Sequence, residues 1–164
     1  MLVERLKTFE LNLLAYDPYV PSYSGVTMVS LNDLFERSDV VSLHTPWLKE
    51  TEGMITGEHL AKMKPYTTFI NSARGAVVRE AEMIEVLRQR PDLVAVLDVT
   101  YPEPPVPESP LYDLPNVILT PHIAGPVGPE CHRNGQYMLE ELKRYLVGES
   151  LKYGLTREQV KIMA

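Results

Sequence analysis

The sequence predicts an α/β fold, a parallel sheet doubly wound with helices. Three observations lead there. Short apolar runs alternate with helical patterns along the chain. The runs are too apolar for strands with one wet face, which marks strands buried on both sides in a parallel sheet. The residues just after the runs carry chemistry: Asp17, His44, Arg74, Asp98 and His122.

The elements follow in order. Leu2, Leu6 and Phe9 share one face of a short helical pattern over residues 2–9. Residues 11–16 read as a buried strand ending at Asp17-Pro18, and residues 26–29 as a weaker strand. A helical pattern covers Leu31–Arg37, and Val40–Leu43 is the next apolar run. Residues 57–63 are helical, 67–70 a strand, and 78–90 a helix whose apolar stripe is Met83, Ile84 and Leu87. Pro91 ends that helix. Residues 93–97 and Val117–Leu119 complete the strands. Between them, residues 99–116 hold six of the fourteen prolines and read as a stiff loop. A long helix is expected over Pro129–Leu146, followed by Gly148 and a short pattern at 156–163.

Composition narrows the function. An apolar fraction of 45% and a charged fraction of 23% are those of a globular protein. A formal net charge of −6 argues against nucleic acid, which favours a basic face. No run of about 18 apolar residues is present, so no membrane partner is expected. The first residues carry Glu4, Lys7 and Glu10 and lack a small-residue cleavage site, unlike a secretory leader. Cys131 is the only cysteine, so neither an internal disulfide nor a thiolate metal site is expected. The expected location is cytoplasmic.

In an open α/β sheet, ligands bind outside the carboxyl ends of the strands. The residues after the runs should therefore converge on one edge. An acid after a second strand is what a dinucleotide-binding fold places against ribose hydroxyls. An Asx turn with Pro18 is the structural alternative for Asp17. The same fold sets a glycine-rich loop roughly 20 residues before that acid. Counting back from Asp17 runs off the front of the chain, and none of the nine glycines forms a G-x-G. The expectation is an incomplete Rossmann-type sheet without its first strand and phosphate loop, with residues 2–9 left from the helix which that loop would open.

Five stretches, "LLAYDPY", "SDVVSLHTPWLKETEGMI", "FINSARGAVV", "LDVTYPEP" and "VILTPHIAG", taken in this order, resemble the cofactor domain of the D-isomer-specific 2-hydroxyacid dehydrogenases. The resemblance implies NAD-dependent interconversion of D-2-hydroxy acids and 2-oxo acids. Residues 1–125 would be a partial NAD-binding domain. Residues 126–164 would be the helical segment that returns toward a substrate lobe, itself absent. In the family's roles, Arg74 grips the substrate carboxylate, as a planar guanidinium fork can. His122 is the acid/base at the C2 oxygen, and Glu103 is the carboxylate that orients it. Asp17 holds the ribose and favours NAD over NADP by repelling a 2′-phosphate. Thr45 and Pro46 pass the adenosine side. Ser72 and Ala73 line the nicotinamide side, Asp98 accepts from the carboxamide, and Gly125 lies near the cofactor after the histidine. The partners implied are a small 2-hydroxy or 2-oxo acid and a second copy of the chain, with no metal.

Two residues depart from the family. Arg79 stands where an aspartate usually caps the helix after "RGAVV", and Pro126 stands where a small polar residue is common. Without the glycine loop the pyrophosphate lacks its backbone donors, so the chain alone is expected to be inactive. A non-catalytic gene remnant or an NAD-sensing module is the alternative. The missing strand should leave strand 11–16 without a partner on its inner side, or set it directly against Val40–Leu43.

Overall fold

The computed structural model describes residues 2–163. The expected ends of the two segments, residues 1 and 164, lie outside them. Helix α1 spans Leu2–Leu6, and strands β1 and β2 are Leu14–Ala15 and Thr27–Met28. Helix α2, Leu31–Arg37, opens where the Ser30 hydroxyl accepts from the Asp33 N–H at 3.1 Å, an N-cap that satisfies an otherwise orphan donor. Strand β3 is Val40–Leu43, α3 is Gly57–Ala61 and β4 is Thr68–Asn71. Then come α4 (Glu80–Gln89), β5 (Val94–Leu97), β6 (Val117–Leu119), α5 (Pro129–Leu146) and α6 (Arg157–Lys161).

Strands β3, β4, β5 and β6 form a parallel sheet in that order, with Val41 opposite Phe69 and Phe69 opposite Ala95. Val41, Leu43, Phe69, Ala95 and Leu97 are buried on these strands. Phe35 of α2, Leu60 of α3, and Met83, Ile84 and Leu87 of α4 close over them as one core. Burial of such side chains contributes about 1.5–3 kcal/mol each. Met83, Ile84 and Leu87 are the stripe expected from the sequence.

The sheet is divided. Strand β1 pairs in parallel only with β2, as a separate two-stranded sheet, and β3 pairs only with β4 among the described residues. Of the two expected arrangements, the second is excluded: among the described residues β1 pairs with β2 alone and not with β3. Val40, on the free edge of β3, is 56% exposed. The strand expected over residues 11–16 shrinks to two residues because a single short neighbour supports it, and Leu11 lies exposed. The helix expected over residues 2–9 stops at Leu6, and its intended apolar face packs on nothing buried: Leu2 and Phe9 are exposed.

Arg79 makes no side-chain cap at the start of α4. Instead its Nε donates to Gly53 O at 3.1 Å and its Nη1 to Glu82 Oε1 at 3.1 Å. The other Glu82 oxygen accepts from Gly57 N–H at 2.8 Å, at the start of α3. The Gly57 amide, and then Arg79, hold the Glu82 carboxyl below the usual range. The lost cap is thus replaced by a tie between two helices. Helix α5 buries none of its residues; Glu141 on it accepts from Lys152 and Tyr153 N–H groups, and Tyr137 lies 5.9 Å from the Tyr153 ring. Among the described residues no helix is long and apolar enough to cross a membrane.

Candidate active site

Because β4, β5 and β6 run parallel, the loops after Asn71, Leu97 and Leu119 leave the same edge. These loops carry Arg74, Glu103 and His122. Asn71 sets the first loop. Buried to 1% exposure, its Oδ1 accepts from Ala73 N–H at 3.1 Å and its Nδ2 donates to Arg74 O at 3.0 Å. Ser72 and Ala73 are half-buried, and Arg74 is exposed, its Nη1 donating to Ala73 O at 2.6 Å. Gly75 then passes so close to the β5 loop that a Cβ there would lie 2.1 Å from the Thr100 carbonyl. Only glycine permits that approach. It brings the arginine loop against the loop of Glu103.

The Glu103 loop has two more anchors. Tyr101 N–H donates to Glu80 Oε2 at 3.2 Å, and Thr100 Oγ1 donates to Pro102 O at 2.8 Å. Burial pushes the Glu80 carboxyl above its ordinary range, against the effect of the Tyr101 amide. His122 Nδ1 lies 2.6 Å from Glu103 Oε1, with both side chains half-exposed. The histidine backbone is left-handed, with φ of 52°. Its N–H donates to Asp98 O at 3.1 Å and Thr120 O at 3.0 Å.

Asp98 holds that loop from beneath. The residue is 6% exposed, and its carboxylate accepts from Thr120 Oγ1, from Ile123 N–H at 2.9 Å and from Ala124 N–H at 2.8 Å. Burial by itself would raise this carboxyl, but these donors outweigh it and hold it below the usual range. Sequence reasoning assigned Asp98 to the cofactor and missed this work for the loop. It also missed Asn71, Gly75 and Glu80. A buried polar residue at a strand end was the available signal for Asn71.

The remaining candidates stand apart. Thr45 and Pro46 lie half-buried after β3, and Pro46 O accepts from Thr51 Oγ1 at 2.6 Å. Gly125 is exposed, and a Cβ there would meet nothing within 4 Å, so no local packing demands glycine. Asp17 is exposed on the small sheet, and its Oδ1 accepts from Tyr19 N–H at 2.8 Å, the Asx turn that Pro18 suggested. It also rims an open groove of about 540 Å³ with Val20, Pro21, Ser30 and Arg37. Thr27, Ser30, Asp33 and Arg37 share the groove with Asp17, so its lining is as polar as it is apolar. The chain offers no glycine-rich cradle for a pyrophosphate.

The comparisons agree with this architecture. The family model described as "D-isomer specific 2-hydroxyacid dehydrogenase, NAD binding domain" matches residues 1–124. The chain is 42% identical over 125 residues to a D-3-phosphoglycerate dehydrogenase of Archaeoglobus fulgidus, covering 74% of this chain and 24% of that protein. It is 46% identical over 128 residues to an erythronate-4-phosphate dehydrogenase of Pseudomonas fluorescens, covering 76% of this chain and 33% of that protein. The crystal structure of a D-lactate dehydrogenase with NAD+ from Lactobacillus jensenii superposes with a TM-score of 0.79 at 29% identity, over 94% of this chain and 51% of that one. The chain spans less than half the length of the curated relatives it matches. Matched over its cofactor-binding part, the chain belongs to the D-isomer specific 2-hydroxyacid dehydrogenase family.

Proposed function

We propose that this chain carries the proton-handling and cofactor-binding side of an NAD-dependent dehydrogenase that interconverts D-2-hydroxy acids and 2-oxo acids. The observation that supports it most is the 2.6 Å contact between His122 Nδ1 and Glu103 Oε1. A carboxylate at Nδ1 keeps a proton on that nitrogen, and Nε2 is then the atom that exchanges a proton with substrate. In the direction of reduction, His122 Nε2–H donates its proton to the C2 oxygen of the 2-oxo acid. Arg74 holds the substrate carboxylate, as its exposed guanidinium and its place on the neighbouring loop allow. A reduced nicotinamide dinucleotide, when bound, supplies the hydride that C2 receives. Asp17 holds its ribose hydroxyls, and Thr45 and Pro46 pass its adenosine side. Ser72, Ala73 and Asp98 serve its nicotinamide end, with Gly125 nearby. In the reverse direction His122 Nε2 takes the hydroxyl proton. A homodimer in the cytoplasm belongs to the same reading.

The 164 residues alone contain neither a phosphate loop nor a facing lobe to exclude water. The isolated chain should therefore give no detectable NADH oxidation with glyoxylate, hydroxypyruvate or pyruvate. Joined to the N-terminal lobe, first strand and glycine loop of a relative, it should turn over, and His122→Ala should abolish that turnover. Robust activity of the isolated chain would overturn the inactivity, and turnover that survives His122→Ala would overturn the mechanism.

A further inference from the structure

Two exposed aromatic rings meet at the carboxyl edge of the four-stranded sheet. Trp47, 44% exposed, and Tyr101, 53% exposed, pack edge to face with centroids 5.4 Å apart and planes at 73°. Trp47 follows β3, and Tyr101 follows β5. Those strands do not touch: β4, which feeds the Arg74 loop, lies between them. The pair therefore reaches across the end of β4. It is also tied to that loop by backbone, since Gly75 packs directly against Thr100, the neighbour of Tyr101. Each residue has one polar tie. Trp47 Nε1 donates to Glu52 Oε2 at 3.4 Å, and the Tyr101 amide is fixed on Glu80. Tyr101 lies two residues before Glu103.

An exposed guanidinium on the loop after β4 and an exposed aromatic pair from the loops after β3 and β5, all at one sheet edge, suit a ligand with a carboxylate at one end and a flat or bulky apolar group at the other. We propose that Trp47 and Tyr101 are specificity-determining residues that receive the side chain of the 2-hydroxy or 2-oxo acid, favouring aryl and branched aliphatic acids over small hydrophilic ones. The inference rests on the placement of Arg74 at the substrate carboxylate. Aromatic contacts of this kind are worth about tenfold in affinity.

Trp47 is the only tryptophan of the chain, so its emission reports on this place alone. The 164-residue chain is titrated with D-phenyllactate, D-lactate and D-glycerate, with Trp47 emission as the readout. D-Phenyllactate should bind about tenfold more tightly than D-lactate, and D-glycerate no better than D-lactate. Tyr101→Leu should erase the preference and Tyr101→Phe should keep it; the exposed position tolerates both. Arg74→Gln should weaken all three acids alike. Equal affinities in the parent chain, a preference unchanged by Tyr101→Leu, or no saturable response to any acid would each overturn the inference. Loss of the preference in Tyr101→Leu with Arg74→Gln without effect would uphold the aromatic wall and refute the role of Arg74.

Discussion

Asp98→Asn tests what holds the His122 loop. Asp98 Oδ1 accepts from Thr120 Oγ1 and Ile123 N–H, and Oδ2 accepts from Ala124 N–H. An asparagine offers one acceptor and one donor. With its oxygen at the Oδ1 place, its amide faces the Ala124 N–H, donor against donor. Flipped, it faces the Ile123 N–H in the same way, while Thr120 alone can turn to accept. At least one charge-assisted bond is lost and one amide is left without a partner. A hydrogen bond to a charged group contributes about 1.5–3 kcal/mol, and relief from burying a charge offsets part of it, so the net loss should be about 2 kcal/mol. The pH dependence has a definite sign. A carboxyl held below its ordinary value contributes stability that is full above about pH 4 and is lost as pH falls through the lowered value. The gap between parent and variant should therefore close in acid. Urea unfolding followed by circular dichroism and Trp47 emission, at neutral pH and stepwise downward, measures it. A difference under about 0.5 kcal/mol at neutral pH, or one that does not shrink in acid, would show that the Asp98 carboxylate does not hold this loop.

Four further outcomes are expected. Gly75→Ala forces a Cβ to 2.1 Å from the Thr100 carbonyl, so the two loops must part; the variant should lose about 1–3 kcal/mol in the same unfolding assay. Asn116 donates its Nδ2 to Leu87, Arg90 and Leu93 carbonyls, and Asn116→Ala, which strands them, should lose about 2 kcal/mol. Tyr66 holds a φ of 63° while 87% exposed, so Tyr66→Gly should raise stability by about 1 kcal/mol, seen as a higher Tm. Burial, and then the charge of Lys62, lowers His59, whose Nδ1 accepts from Thr56 N–H at 3.1 Å; stability should fall as pH drops below the ordinary imidazole range, and His59→Gln, which keeps the cap, should flatten that fall in pH-stepped denaturation.

The sequence was most legible where burial decides. Val40–Leu43 and Val117–Leu119 appear at the expected residues because an apolar run between turn signals has one good solution in a parallel sheet. Leu31–Arg37 and Pro129–Leu146 were also legible as helical patterns. Where a neighbour decides, legibility failed: residues 11–13 have strand-like side chains, but a ladder forms only where β2 runs alongside. At the site, strand-end position singled out Arg74 and His122, and the family resemblance added Glu103. The supports were hidden because they depend on approaches between loops far apart in the chain. Nothing near Gly75 in sequence announces Thr100, and nothing near Asp98 announces the amides of Ile123 and Ala124.

These supports share one location. Asn71, Gly75, Glu80 and Asp98 all belong to β4, α4 or the loops that follow β4 and β5, on the four-stranded sheet with its buried core. The proposed proton-handling end thus keeps its geometry from contacts within that unit alone. Asp17 sits instead on a sheet of two-residue strands whose only ladder is β1 with β2. So short a pair has little local stability and opens easily. Ordering it would consume part of the affinity for an adenosine, in proportion to the fraction of molecules in which the groove is formed. If the dinucleotide binds as proposed, its two ends rest on unequal supports: the nicotinamide end on the four-stranded sheet with its buried core, and the adenosine end on the two-residue pair.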